Sequence, residues 1–287
     1  MSAQIFVSSV RNPYENLALE HFLFQTQAVP TLFLYVNQPC VVIGRAQNPW
    51  IEANLPFLKA NQMPLVRRQS GGGTVVHDLG NLNFSFISPK AQYDKKTHLQ
   101  MVLNALITLG IPAQMNERHD LIVQDKKISG SAFRETRENC FHHGTLLIHS
   151  DLAMLREALA APPRKIKTNA IRSVRSSVMN LTDFMPDLSL ESVKKSLIQS
   201  FENHHQQAIP PLVLDQQALR YPLVVAEQQR YQSLEWIYHK TLPFEEEREI
   251  NGQKLVFQVE SGRIIACKPP LSEYAHWLGS VFDIECI

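Results

Sequence analysis

The sequence predicts an α+β fold, with mixed, largely antiparallel sheets, flanking helices and a short C-terminal module. Three observations carry this. Alternating apolar runs recur in pairs joined by turn residues, as in EREINGQKLVFQVESGRIIACK, where Asn251-Gly252 and Ser261-Gly262 mark successive hairpin turns. Segments of helical spacing fall between such pairs without the regular alternation of a doubly wound parallel sheet, and no internal repeat is visible. At 287 residues, 44% hydrophobic and 19% charged, the chain can bury a sizeable core and has room for one large domain plus a small appendage.

Along the chain, Asn12 and Pro13 form the N-cap and first position of a helix over NPYENLALEHFLFQT, whose apolar residues cover most of its circumference. TLFLYVN and CVVIGR read as neighbouring strands joined by a tight turn at Gln38 and Pro39, and LNFSFIS alternates as a strand. THLQMVLNALITLG has helical spacing and stops at Gly110. HDLIVQDKKISGSAF reads as a hairpin turning at Gln124 to Lys126, and CFHHGTLLIH as a further strand. DLAMLREALAA is a helix ended by Pro162 and Pro163, and the basic RKIKTNAIRSVRSS after it has no apolar period and reads as a loop. A helix around SLESVKKSLIQSF and a Gln- and Pro-containing stretch precede the C-terminal hairpins. The expected division is a main domain over 1–230 and a small C-terminal module over 231–287.

A net charge of +1 argues against whole-surface attraction to nucleic acid or a membrane, so any charged ligand must meet a local patch. Cys40, Cys140, Cys267 and Cys286 are scattered without metal-site spacing, which suggests reduced thiols. With neither a signal core nor 18 uninterrupted apolar residues, the expectation is a cytoplasmic protein, or a mitochondrial matrix protein in mature form.

The local patch lies in RRQSGGGTVVHDLGNLNFSF (67–86). Gly71, Gly72 and Gly73 let backbone N–H groups approach an anion or flat ring, although a bare glycine run also suits a flexible surface loop. Arg67, Arg68 and Ser70 add donors that favour an anionic ligand. Neither a Walker motif nor G-x-G-x-x-G is present. Further along, Asp120 is a carboxylate able to hold Mg²⁺, and Lys127, Ser129 and Ser131 fall on one strand face with Gly130 allowing close approach. His142 and His143 must point to opposite faces of a strand, so at most one lines a site. Cys140 beside them invites a thioester nucleophile, although free cysteine is more often a small buried hydrophobe.

Taken in order, VVIGRAQNPW (41–50), RRQSGGGTVVHDLGNLNFSF, HDLIV with KKISGSAFRET (119–136), FHHGTLL (141–147) and SVRSSVMNLT (173–182) resemble the lipoate-protein ligases, relatives of lipoyltransferases, octanoyltransferases and biotin protein ligases. The resemblance implies ATP-dependent activation of lipoate to lipoyl-AMP, then transfer to a lysine of apo lipoyl domains of 2-oxoacid dehydrogenase E2 subunits or of the glycine-cleavage H-protein. It implies ATP and Mg²⁺ as cofactors and lipoate as substrate. Carried over by motif position, Lys127 is catalytic. Arg68, Gly73, Thr74, Val75, Val76, Asn81 and Lys127 bind the nucleotide. Ser70, Gly71, Gly72, Lys127, Arg134, His143 and Gly144 line the lipoyl site, and Asp120 is the Mg²⁺ candidate. The segment Arg164–Arg175 corresponds to one that closes over the adenylate. LEWIYHKTLPF resembles the junction into an accessory domain that is shorter here, which leaves open a lipoyltransferase that takes preformed lipoyl-AMP or a lipoylated donor protein. A non-catalytic lipoyl-binding module is disfavoured because Arg68, Asp120 and Lys127 are all retained.

Overall fold

Asn12 accepts the Tyr14 amide through its side chain and Pro13 takes the first helical position, so the chain enters helix α1 (Pro13–Thr26) as predicted. The same Asn-Pro device starts α2 (Pro49–Glu52), where Asn48 accepts the Trp50 amide. The later helices are α3 (Leu55–Ala60), α4 (Lys95–Thr108), α5 (Leu152–Leu159), α6 (Leu190–His205) and α7 (Pro222–Gln232). The computed structural model describes residues 3–117, 120–270 and 272–282, so Cys286 and His119 lie outside the described residues. In chain order the strands are β1 (Gln4–Ser8), β2 (Thr31–Tyr35), β3 (Cys40–Ile43), β4 (Leu65–Arg67), β5 (Val75–His77), β6 (Asn81–Pro89), β7 (Gln114–Met115) and β8 (Leu121–Val123). They continue with β9 (Lys126–Ser129), β10 (Ser131–Glu135), β11 (Asn139–Leu147), β12 (Lys165–Thr168), β13 (Leu212–Leu214), β14 (Phe244–Ile250), β15 (Gln253–Glu260) and β16 (Arg263–Lys268).

One compact unit comprises residues 1–40, 77–152 and 175–229. Its six-stranded sheet runs β10-β11-β6-β2-β1-β13, antiparallel from β10 to β2 and parallel at β2-β1 and β1-β13. Because strand side chains alternate, Leu82, Phe84 and Phe86 of β6 enter one core with α4 and α6, while Asn81, Asn83 and Ser85 face the other way. Phe201 of α6 packs on Phe86, and the Ser196 and Ser200 hydroxyls donate to the α4 carbonyls of Ala105 and Met101. On the opposite face α1 meets β11, with Phe24 edge-on to Phe141. A small sheet β7-β8-β9 completes the strands of this unit, and Gln124 (φ 49°) and Asp125 (φ 59°) turn between β8 and β9.

The other unit comprises residues 41–76, 153–174 and 230–287. It holds the three-stranded β4-β3-β5 sheet and the four-stranded β12-β14-β15-β16 sheet. The hairpin turns at Asn251-Gly252 and Ser261-Gly262 form as predicted, all four residues having positive φ. Trp50 lies in an aromatic cluster with Tyr238, Phe244 and Phe282. The segment expected as a C-terminal module, 231–287, therefore does not close on itself. Its sheet takes its first strand from residues 165–168 and its aromatic cluster takes Trp50.

Four local expectations are corrected. TLFLYVN and CVVIGR are not neighbouring strands: β2 and β3 belong to different sheets, and the amide of Gln38 in the connection bonds to the Arg11 carbonyl instead of closing a hairpin. Lys126 is the first residue of β9 and not part of the turn. Lys127, Ser129 and Ser131 do not share a strand face, because the chain leaves one sheet after Ser129 and joins another at Ser131, with Gly130 between. Part of the basic loop is a strand, since β12 pairs with β14 and sets Lys165 opposite Glu247 and Lys167 opposite Glu245, a favourable cross-strand charge match. Among the described residues no helix is long and apolar enough to cross a membrane.

Candidate functional site

Within the first unit, the face of the large sheet turned toward α1 carries a polar stripe in an otherwise apolar core. Asn81, Asn83 and Ser85 on β6 lie opposite Leu147, Thr145 and His143 on β11. Asn81 is fully buried; its Nδ2 donates to Asn83 Oδ1 at 2.9 Å, while its Oδ1 and the Ser85 hydroxyl have no hydrogen-bond partner among the described residues. A buried polar atom of this kind calls for an explanation, and a bound water or ligand is one of several. His143 Nδ1 lies 2.9 Å from the buried Glu20 carboxylate of α1, and the Arg134 guanidinium covers the Phe24 ring at 4.7 Å on that same face. His142 points the other way, to Ser131 at 2.9 Å and onto the Phe133 ring, so the two histidines do divide between faces.

Gly144 has a packing reason to be glycine. A Cβ there would fall 2.5 Å from the Phe84 ring and 2.7 Å from the Gly130 carbonyl. Thr145 ties the two strands, its amide donating to the Gly130 carbonyl and its hydroxyl accepting the Gly130 amide.

Lys127 sits on β9 with its ammonium 2.8 Å from Asp120 Oδ1. Its backbone is held on both sides by the segment after the basic loop, since its amide donates to Ser177 O and its carbonyl accepts from Met179 N. Gly130 leaves room beside the ammonium: a Cβ there would sit 3.6 Å from Lys127 Nζ. The pair is partly exposed, a quarter of the Lys127 side chain and less of Asp120 being open to solvent. The Ser129 hydroxyl is buried without a hydrogen-bond partner among the described residues. Among the described residues no group of three or more His, Cys, Asp or Glu side chains could hold a metal, so Asp120 belongs to no such cluster.

In the second unit the glycine loop is organised by Arg68. Its guanidinium donates to Ser70 Oγ, to the Val42 carbonyl, and to the Gly71 and Gly73 carbonyls at 2.5 and 2.7 Å. A trans peptide points its C=O and the following N–H in opposite directions, so the Gly72 and Thr74 amides are turned away from the guanidinium. Gly72 is exposed and has φ 83°. Gly44 lies so close to the Gly72 carbonyl that a Cβ on Gly44 would collide with it. Val75 and Val76 continue from the loop into β5.

Arg67 does not face a ligand. It is fully buried, and its guanidinium donates to the carbonyls of Arg45, Gln47, Trp236 and Ile237 and to the Thr241 hydroxyl. Burial lowers its pKa to about 10, which leaves it charged at neutral pH. Ser70 is likewise enclosed: its hydroxyl accepts from Arg68 and its carbonyl accepts the Arg45 amide.

Reading the sequence missed Gln47, Glu52 and Ser173, which bond to one another and to Thr74 beside the glycine loop. Ser173 lies 121 residues from Glu52, and no local pattern joins them. Glu20 and Asn83 were missed on the sheet face. The period-two alternation of β6 beside Asn81 was the available signal for Asn83.

A family model described as the lipoyl protein ligase A/B catalytic domain matches residues 12–202. A protein of Psychrobacter cryohalolentis named lipoate-protein ligase A is 41% identical over 252 residues, covering 85% of this chain and 74% of its own. One of the same name from Bdellovibrio bacteriovorus is 37% identical over 272 residues, covering 91% and 80%. Among solved structures, P. falciparum LipL1 in complex with lipoate matches with TM-score 0.76 at 29% identity, covering 93% of this chain and 84% of that one. Lipoate-protein ligase A bound with ATP matches with TM-score 0.69 at 27% identity, covering 82% and 98%. A bipartite lipoate protein ligase from Thermoplasma acidophilum, described together with its E2 lipoyl domain, matches with TM-score 0.69 at 26% identity, covering 83% and 96%.

Proposed function

The chain belongs to the lipoyl protein ligase A/B family and is a lipoate-protein ligase, and from that premise we propose how its residues perform the reaction. Lipoate and ATP are its substrates. The lipoate carboxylate attacks the α-phosphorus, pyrophosphate leaves, and the lipoyl-AMP anhydride then yields its acyl group to a lysine ε-amine with AMP as the leaving group. The acceptors are lipoyl domains of 2-oxoacid dehydrogenase E2 subunits and the H-protein, and no nucleic acid or membrane takes part.

The observation that carries this reading is the Lys127 ammonium, held by one carboxylate beside the side-chain-free Gly130. Phosphoryl transfer needs alignment and neutralisation of charge on phosphoryl oxygens, more than covalent help from the protein. Lys127 supplies a compact cation for the α-phosphate and later polarises the acyl carbonyl. Arg68, with the Gly73, Thr74, Val75 and Val76 backbone, is assigned to the nucleotide, and Asn81 to the adenylate end. Arg68, buried and donating to the loop carbonyls, has an observed role in shaping the loop, and its assignment to phosphate rests on motif position. Ser70, Gly71, Gly72, Arg134, His143 and Gly144 are assigned to the lipoyl side, with Arg134 and His143 sharing one sheet face.

Mg²⁺ commonly binds through one or two carboxylates together with substrate phosphates, so the Asp120 carboxylate fits it as a protein ligand of a nucleotide-borne ion. When bound, Mg²⁺ would withdraw charge from the phosphoryl oxygens.

Incubating the chain with ATP, lipoate and an apo lipoyl domain, with the acceptor mass and pyrophosphate both measured, tests the reading. Lipoate-dependent pyrophosphate release and a lipoylated acceptor are expected. Modification from synthetic lipoyl-AMP without pyrophosphate release from ATP would instead make the chain a lipoyltransferase.

A further inference from the structure

The Gly73–Thr74 peptide of the glycine loop is gripped at both ends. Arg68 Nη2 donates to the Gly73 carbonyl at 2.7 Å, and the Thr74 amide, turned the opposite way, donates to the Ser173 hydroxyl at 2.8 Å. Rotating this peptide plane breaks both bonds. Ser173 is in turn fixed by Glu52, a buried carboxylate that accepts its hydroxyl proton and its amide, the latter at 3.1 Å. Fully buried Gln47 donates to the Ser173 hydroxyl at 3.0 Å and accepts the Gly44 amide at 2.8 Å. The Thr74 hydroxyl lies 3.0 Å from Gln47 Oε1 and 3.1 Å from Glu52 Oε2, and its single proton serves one of them at a time. The chemistry proposed above uses none of these three residues, yet each terminates on the loop.

We propose that Glu52 and Ser173 are positioning residues for nucleotide activation, which lock the Gly73–Thr74 peptide so that the loop meets the adenylate in one conformation. This rests on the assignment of the loop to the nucleotide. A misplacement of about 1 Å in an aligning element can cost roughly a hundredfold in rate, so a peptide held at one end only is a functional defect even in a well-folded protein. The hydroxyl does what a methyl group cannot: it accepts the Thr74 amide and donates to Glu52 at once. Space is also set by this contact, because a Cβ on Gly73 would approach Ser173 Oγ to 3.1 Å.

The test uses the full chain carrying Ser173→Ala, Glu52→Gln, both together, or Ser173→Thr. Hydrogen exchange over residues 70–76, KM for ATP and for lipoate, and binding of a non-hydrolysable lipoyl-AMP analogue are measured on each. Faster exchange over 70–76 is expected in Ser173→Ala and Glu52→Gln, with an increase of about tenfold in KM for ATP, on the scale of losing a buried hydrogen bond. KM for lipoate should stay near wild type, the double variant should be no worse than the poorer single one, and Ser173→Thr should recover most of the loss. If the analogue protects residues 70–76 in wild type but Ser173→Ala binds it and ATP normally, positioning is overturned while the functional reading stands. If the analogue leaves 70–76 unprotected in wild type, the nucleotide assignment fails and takes the proposal with it. Parallel rises in both KM values with a lowered melting temperature would reduce the network to a structural role.

Discussion

The two units hold their candidate functional groups by opposite means. In the first, side chains ride on strands: Asn81, Asn83, His143 and Arg134 share one sheet face because alternation puts them there, and Lys127 extends from a short strand whose backbone is bonded on both sides. In the second, the proposed functional group is the backbone and side chains serve it, with Arg68, Glu52 and Ser173 fixing a loop that carries almost no side chains of its own. The difference has a consequence for mutation. On the strands a substitution removes one chemical group and leaves its neighbours in register, whereas in the loop a substitution acts through geometry.

The largest effect should come from the strand-borne cation. Lys127→Ala is expected to lower both adenylation and transfer by roughly a hundred to a thousandfold, the scale of one electrostatic contact made in the transition state, about 3 to 4 kcal/mol. Lys127→Arg should not rescue, because the wider fork does not take the place of a point charge. Lys126, exposed at the start of β9, should be replaceable by alanine without loss. Adenylation read as pyrophosphate release and transfer read from synthetic lipoyl-AMP separate the two steps. If either runs near wild-type rate in Lys127→Ala, the dual role is wrong.

An intermediate effect is expected in the loop, and it should depend on conformation more than on size. Gly72 has φ 83°, where a side chain costs about 1 to 2 kcal/mol, while Gly71 lacks a positive φ and has open space around a prospective Cβ. Gly72→Ala should therefore weaken binding of a lipoyl-AMP analogue with the fold intact, and Gly71→Ala should do so much less. Equal losses at the two positions would mean that ligand approach, and not backbone strain, makes the loop glycine-rich.

How much of this was legible depended on the range of the interactions. Asn12-Pro13, the Asn251-Gly252 and Ser261-Gly262 turns and the division of His142 from His143 are local rules of capping, turn geometry and strand alternation, and each appears in the structure. Arg67 looked like a second ligand cation because an arginine beside Arg68 and three glycines carries no sign that its acceptors include backbone carbonyls about 170 residues away. The Glu52–Ser173 pair is hidden for the same reason. The sheet change at Gly130 was missed because a glycine within an alternating run is as compatible with a flat strand as with a corner. The lipoyl-ligase motifs single out the loop and Lys127 as candidates, but what supports the loop comes from segments distant in sequence.

The smallest effect should be at Cys140, where the strand-borne arrangement makes a reactive residue type inert. Cys140 is fully buried on β11, opposite Ser88 in register, and burial raises its thiol pKa above the usual value. A thiol attacks as thiolate, so a group held protonated inside a sheet has little nucleophilic population near neutral pH. The acyl group is instead expected to travel on AMP, which needs no protein thiol. Cys140→Ser replaces sulfur by a hydroxyl of similar shape and should retain lipoyl transfer at close to the wild-type rate, with any cost confined to stability. Mass spectrometry of the chain quenched during turnover decides the matter. A lipoyl thioester on Cys140, together with loss of transfer in Cys140→Ser, would show that the strand carries a nucleophile after all and move the chemistry from adenylate transfer to a cysteine-linked relay.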